Sequence, residues 1–141
     1  MRKVAAMDVK TLLVMPPQRQ YPLLRVLQEN GLEVFAVGSL QEAQQTLGGP
    51  TSYDLVFVDT ELPDGSWEDL LQFLLRSPKA CEMIVCSYCG DERLWAEVIQ
   101  RGAFDLLPAP YERQEVLRII QSALGSHYLR KFVRQTPARA S

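Results

Sequence analysis

The side chains best suited to chemistry are the carboxylates of Asp59, Glu61 and Asp64 and the hydroxyl of Ser87. Asp59 directly follows the run Leu55–Val58, whose unbroken apolar character is typical of a strand buried on both faces. An acid at the carboxyl end of a buried parallel strand lies where open α/β sheets bind their ligands. The alternative is a structural role, in which Asp59 only accepts backbone hydrogen bonds.

The same inventory argues against an enzyme. Ser–His–Asp and Cys–His sets need a histidine beside the nucleophile, and the single histidine, His127, lies near the end of the chain. A glycine-rich phosphate loop is also missing, because Gly38 and Gly65 stand alone. We therefore expect no catalytic residues.

The cysteines offer a second, different chemistry. Cys86 and Cys89 form a CxxC motif, a spacing found in redox pairs and in half of a zinc site. A zinc site would need two further ligands, for which only Cys81 and the distant His127 are available. We keep a CxxC redox protein as an alternative, and expect Cys86 to be a buried strand residue and Cys89 a loop residue.

Composition limits the class of protein. The 141 residues carry a formal net charge of -2, which gives no general attraction to nucleic acid or to acidic lipid. No apolar stretch approaches the roughly 20 residues that a membrane span needs. The start of the chain has no apolar core of a secretion signal. We expect one cytoplasmic domain with no membrane partner, and a nucleic-acid partner is not favoured.

The elements that must position Asp59 and Ser87 alternate regularly along the chain. Each apolar run is followed by a segment with helical spacing of apolar residues, which predicts parallel βα units with right-handed crossovers. We predict an α/β, flavodoxin-like doubly wound (βα)5 fold with a five-stranded parallel sheet in the order 2-1-3-4-5. The predicted strands are Thr11–Met15, Leu32–Val37, Leu55–Asp59, Met83–Ser87 and Phe104–Leu107.

The chain divides by pattern into an N-terminal arm over residues 1–9, a domain over 10–125 and an extension over 126–141. Gly125-Ser126 is predicted to interrupt the last helix. Residues 127–135 then resume an amphipathic pattern with basic residues on one side. The extension is interpreted either as a linker or as a docking or dimer helix, and Thr136–Ser141 is expected to be disordered.

Two segments carry a resemblance to a known family. YDLVFVDTELPDGS (residues 53–66) and RGAFDLLPAPY (residues 101–111) resemble the phosphoacceptor strand and the fifth-strand segment of receiver domains in bacterial response regulators. The resemblance covers roughly Lys10–Leu124. It implies a two-component signalling protein whose acceptor aspartate takes a phosphoryl group from a histidine kinase.

Carried over by position, the resemblance makes Asp59 the acceptor and Ser87 the hydroxyl that ends strand four. The acid pair that binds magnesium in the family falls on Pro16 and Pro17, and the strand-five lysine falls on Ala109. The aromatic switch position falls on Leu106. Pro110 is retained, so the Ala109–Pro110 bond is expected to be cis.

These departures predict a degenerate receiver. Prolines supply no side-chain oxygen for Mg²⁺, and with alanine in place of the lysine we expect no fixed cation beside Asp59. We therefore expect no cofactor, no phosphorelay and an Asp59–Ser87 hydrogen bond. In the alternative, a working phosphoacceptor, Glu61 or Asp64 replaces the lost Mg²⁺ ligands.

Signalling is expected to pass through protein–protein contacts. By resemblance, the surface formed by helix four, strand five and helix five binds a protein partner, either a histidine kinase or an output domain or protein. A second interpretation is a constitutive homodimer through the same surface. A third is a monomer in which this surface is simply exposed to solvent.

Overall fold

The computed structural model describes residues 9–135, with side chains through residue 129. The five main strands form one parallel sheet in the order β2-β1-β3-β6-β7, which confirms the predicted 2-1-3-4-5 order because β6 and β7 are the predicted strands four and five. The strands are β1 (Lys10–Val14), β2 (Glu33–Val37), β3 (Leu55–Asp59), β6 (Glu82–Ser87) and β7 (Asp105–Pro108).

A two-stranded hairpin follows β3, where the sequence predicted only a loop. It pairs β4 (Glu61–Leu62) with β5 (Gly65–Ser66) in antiparallel fashion. The Pro63-Asp64 turn joins them, as expected from turn-forming residues.

Within residues 9–135, five helices cover both faces of the sheet. They are α1 (Pro17–Glu29), α2 (Leu40–Leu47), α3 (Trp67–Leu75), α4 (Glu92–Arg101) and α5 (Arg113–Gln135). One apolar cluster packs α1 and α5 against the sheet, and the other packs α2, α3 and α4 against the opposite face. All five residues of β3 are buried, as its unbroken apolar run predicts.

The helix starts follow the polar residues that the sequence offers. Ser66 and Asp69 form a complete capping box at α3, and Asp91 accepts the backbone N–H of Leu94 at α4. At α2, Ser39 accepts the N–H of Glu42, but the Glu42 carboxylate turns to Gly38 N instead of closing the box. These caps fix where each helix leaves the sheet.

The predicted break at Gly125-Ser126 is wrong, because α5 runs without interruption from Arg113 to Gln135. A mid-helix glycine costs only about 1 kcal/mol, which packing on either side can offset. His127 supplies part of that packing, since it is 2% exposed and its Nε2 lies 2.7 Å from Asp54 Oδ1. Residues 1–8 and Thr136–Ser141, for which an arm and disorder were predicted, lie outside the described residues.

Within residues 9–135 we find no helix that is both long enough and apolar enough to cross a lipid bilayer.

Candidate functional site

The carboxyl ends of four neighbouring strands meet around Asp59. Asp59 ends β3, which lies between β1 and β6 in the sheet. Pro16 follows β1, and Ser87 ends β6. The backbone N–H of Ala109, just after β7, donates to Ser87 O at 2.8 Å. The topology therefore brings the sequence-predicted site positions to one edge of the sheet.

Asp59 is 3% exposed, and both of its carboxylate oxygens have protein partners. Oδ2 accepts a hydrogen bond from Arg19 Nη1 at 2.8 Å. Oδ1 accepts from Thr60 Oγ1 at 3.3 Å and from the backbone N–H of Glu61 at 3.2 Å. A buried carboxylate needs this compensation, because taking an unpaired charge out of water costs several kcal/mol.

The expectation that no fixed cation lies beside Asp59 is wrong. Arg19 lies in the first turn of α1, which starts from the end of β1 and so faces the neighbouring end of β3. The pKa of the Arg19 guanidinium is raised above its ordinary value. The larger cause is the hydrogen bond that Arg19 donates to Asp59, and the next is the negative charge of Asp59. The sequence carried a usable signal, since a basic residue two positions after the Pro-Pro pair must lie in the first turn of α1, near this edge.

Arg19 also contacts the loop that follows β6. Its Cζ lies 5.2 Å from the centroid of the Tyr88 ring, the geometry of a cation–π contact. Its backbone N–H donates to Pro16 O at 2.8 Å, which fixes the first turn of α1. One guanidinium therefore joins α1, the end of β3 and the β6–α4 loop.

The predicted Asp59–Ser87 hydrogen bond does not form. Ser87 is buried, and its Oγ accepts the backbone N–H of Cys89 at 3.1 Å. Ser87 is therefore committed to shaping the loop. The prediction failed because Arg19 supplies Asp59 with a charged donor, which is a stronger partner than a hydroxyl.

Glu61 and Asp64 do not gather as replacement ligands around Asp59. Asp64 turns away and accepts the backbone N–H groups of Leu40 at 2.7 Å and Gln41 at 3.0 Å. It thus caps the start of α2 from 24 residues away in sequence. Glu61 reaches Asp59 through its backbone N–H.

The donor set at this edge does not fit a magnesium ion. Mg²⁺ requires near-octahedral oxygen ligands, and the two positions that would supply carboxylates are Pro16 and Pro17. Arg19 occupies one oxygen of Asp59 with a fixed positive charge that repels a divalent cation. Over residues 9–129, no three His, Cys, Asp or Glu side chains cluster in a way that could hold a metal ion.

Replacing Asp64 with asparagine is expected to lower the free energy of unfolding by about 1 kcal/mol at pH 7, because the negative charge at the start of α2 and the second acceptor oxygen are both lost. Hydrogen bonds from Leu40 and Gln41 lower the pKa of Asp64 below its ordinary value. A lowered folded-state pKa gives stability that is present above the unfolded-state pKa, near 3.9, and is lost as the pH falls through the folded-state value.

The measurement is urea denaturation of wild type and Asp64→Asn between pH 7 and pH 2.5. The difference should be largest at pH 7 and shrink below about pH 4. Glu61→Gln, on the same hairpin, is the matched control and should stay within about 0.5 kcal/mol of wild type. A difference that persists unchanged at pH 2.5 would rule out the charge as its cause.

The Ala109–Pro110 peptide bond is cis, which confirms the expectation drawn from the retained proline.

The cysteines do not have the surroundings of a redox pair. Cys86 is fully buried in β6, and burial raises the pKa of its thiol well above the ordinary value. A redox nucleophile needs the opposite, a lowered pKa and access to solvent. Cys89 is exposed in the next loop, and all three cysteines are free. The structure therefore disfavours the CxxC interpretation.

An open groove lies between α4, β7 and α5. Its floor contains Leu106, which is 7% exposed. Its rim carries two partly exposed side chains of α4, Trp95 at 50% and Ile99 at 38%. Trp95 Nε1 donates to Asp105 at 3.1 Å, and the Glu115–Arg118 ion pair borders the other side. This surface is the one that the resemblance predicted for partner binding.

A family model described as "Response regulator receiver domain" matches residues 18–121. The match runs from α1 into α5 and includes β2, β3, β6 and β7, whereas β1 lies before its first residue. It therefore covers the whole candidate site except Pro16 and Pro17, which lie just before its first matched residue.

Curated relatives agree with that match. The chain is 30% identical over 96 residues to the chemotaxis protein CheY of Listeria monocytogenes, covering 67% of this chain and 71% of that protein. It is 26% identical over 123 residues to the DNA-binding transcriptional regulator NtrC of Azospirillum brasilense, covering 86% of this chain. The chain spans only 25% of that NtrC.

Solved structures show the same fold. A response regulator receiver domain protein from Clostridium thermocellum superimposes with a TM-score of 0.75 at 23% identity, covering 86% of this chain and 98% of that one. The signal receiver domain of an HD domain-containing protein from Pseudomonas fluorescens gives a TM-score of 0.73 at 23% identity, with 90% and 98% covered.

Proposed function

Because this chain belongs to the response regulator receiver domain family, we propose that it acts in two-component signalling as an atypical receiver that works without phosphorylation, by binding another protein. In this proposal Asp59 keeps the acceptor position without serving as an acceptor, and the domain uses no metal and catalyses no reaction. We place its action in the cytoplasm.

The ion pair between Arg19 and Asp59 carries the proposal. An acceptor carboxylate must be free to attack a phosphodonor, and Oδ2 of Asp59 is held by a guanidinium at 2.8 Å. Phosphoryl transfer depends mainly on positioning and on neutralising charge. The residues at the acid-pair and lysine positions, Pro16, Pro17 and Ala109, provide neither carboxylate nor ammonium.

We propose that the partner binds the groove between α4, β7 and α5. Its buried floor and half-exposed Trp95 and Ile99 offer the mixture of apolar core and charged rim that protein interfaces use. Leu106 stands at the aromatic switch position and is buried, which favours a surface of fixed shape. The partner is a histidine kinase, an output domain or an output protein, and a second copy of this chain is the alternative occupant.

Arg19 also favours one second candidate, a phosphoacceptor that needs no metal. Arginine pairs bidentately with phosphate, so its guanidinium could neutralise a phosphoryl group on Asp59 in place of Mg²⁺. It is a different candidate from a metal-using acceptor with Glu61 or Asp64 as ligands, which is less favoured because Asp64 binds the backbone N–H groups at the start of α2.

Incubation with acetyl phosphate, followed by intact-mass measurement, separates the three cases. The reaction is run with Mg²⁺, with a chelator, and on the Asp59→Asn variant as a control. We expect no adduct in any arm. An Asp59-dependent adduct that needs Mg²⁺ would support a metal-using receiver, and one that persists with chelator but disappears in Arg19→Met would support the arginine-assisted acceptor.

A further inference from the structure

The contacts of the β6–α4 loop link the Asp59 site to the groove. The loop covers residues 88–91 and has Tyr88 at its start, 57% exposed and stacked on the Arg19 guanidinium. Gly90 then passes so close to β7 that a Cβ there would lie 3.2 Å from Leu106 Cδ2 and 3.3 Å from Pro108 Cβ. The loop therefore lies directly over the strand that forms the groove floor.

The same loop ends in the cap of α4. Asp91 Oδ1 accepts the N–H of Leu94 at 2.8 Å, so the position of the loop sets where α4 begins. Val98 is the single fully buried residue of α4, whereas Trp95 and Ile99 remain substantially exposed. A helix with so little buried apolar surface depends on its ends for its position.

Arg19 supplies the charged contact that reaches this loop from outside it. Within the loop start, the backbone N–H of Cys89 donates to Ser87 Oγ. On its other side Arg19 is anchored to Asp59, which is itself fixed by the end of β3. The guanidinium thus lies between a rigid carboxylate and an exposed aromatic ring.

We propose that Arg19 is a positioning residue that clamps the β6–α4 loop against the sheet by bridging Asp59 and Tyr88, and so holds the groove in one arrangement. The positive charge of this clamp belongs to a side chain of the protein itself. It deepens the proposed function, on which it rests, by explaining how a receiver keeps a fixed binding surface when Asp59 is not phosphorylated.

Hydrogen exchange on the full chain, with chelator present and no phosphodonor, tests the clamp. Arg19→Met keeps the apolar stem and removes the guanidinium, and Tyr88→Leu removes the ring at an exposed position where folding is not at risk. Both variants are expected to raise amide exchange over residues 88–95 by about tenfold. Tyr88→Leu should leave exchange in β1 and β3 unchanged, whereas Arg19→Met should also raise it there, because that variant lowers the stability of the whole domain. Combined, they should give no larger effect than either alone, because both break the same bridge.

Arg25→Met is the matched control, because Arg25 also lies on α1 and forms an exposed ion pair with Glu29. It should leave exchange over residues 88–95 unchanged. Unchanged exchange there in Arg19→Met or in Tyr88→Leu, additive effects over residues 88–95 in the double variant, or a rise in Tyr88→Leu that is equal across the whole sheet would overturn the clamp. An acetyl-phosphate adduct on Asp59 would overturn the proposed function separately, since the exchange experiment contains no phosphodonor.

Discussion

Replacing Pro16 and Pro17 with aspartate, Arg19 with serine and Ala109 with lysine is expected to convert this chain into one that is phosphorylated on Asp59. The substitutions restore the acid pair and the ammonium at the family positions and remove the competing guanidinium. Since each electrostatic contact of this kind is worth about 100–1000-fold in rate, the gain over wild type should exceed about 100-fold. Acetyl-phosphate labelling with and without Mg²⁺ measures it.

The start of α1 should tolerate these changes. Pro16 is the N-cap residue and makes no side-chain cap, and the first turn of α1 contains no acid. Aspartate at an N-cap accepts a backbone N–H and interacts favourably with the helix dipole. The Pro17 ring lies beside Gly38, where an added Cβ would come within 3.1 Å of Pro17 Cδ, so the glycine leaves room at this position.

The control for this quadruple variant is the same protein with Asp59→Asn, which should show no labelling. A quadruple variant that has the circular dichroism of wild type but neither binds Mg²⁺ nor becomes labelled would contradict the argument. The loss of function would then lie elsewhere than in the four substituted positions.

Local patterns predicted the fold because they act over a few residues. The apolar run of β3 predicted a strand buried on both faces, and β3 is buried throughout. The helix ends also agree with local preference, because Ser66 and Asp91 are N-caps and Gly102 is the C-cap of α4. The strand order followed from the regular alternation of strands and helices, together with the short list of doubly wound topologies.

The partners of charged side chains were less predictable, because they depend on distances across the fold. Arg19 meets Asp59 across 40 residues, and His127 meets Asp54 across 73. Asp64 looked like a spare metal ligand in the sequence, yet it caps α2. In each case the hydrogen-bond partner of the polar side chain is brought close only by folding, so it could not be read from the local sequence.

The continuous α5 shows the same limit for backbone propensity. Gly125-Ser126 is a reasonable breaker in isolation, but Leu124 and His127 are buried on either side of it. Burial of such residues outweighs about 1 kcal/mol of glycine cost. Tertiary packing thus overrode the local signal.

Arg19→Met is expected to lower the free energy of unfolding by about 2 kcal/mol. Removing one partner of a buried pair typically costs about 3–5 kcal/mol, because the other charge stays buried. Here Asp59 is 3% exposed but the Arg19 side chain is 32% exposed, so solvent reduces the cost. Urea denaturation at pH 7 gives the value, and Arg25→Met, which breaks an exposed pair, should leave the free energy of unfolding close to that of wild type.

The double variant Arg19→Met, Asp59→Asn decides what the ion pair is for. If the penalty arises from an uncompensated carboxylate, neutralising Asp59 should recover most of it and bring the protein within about 1 kcal/mol of wild type. No recovery would mean that Arg19 stabilises through its apolar stem. Recovery would mean that an uncharged site folds equally well. The ion pair would then not be needed for the stability of the fold. Because Arg19 also contacts Tyr88, positioning the β6–α4 loop would be the remaining role of the pair.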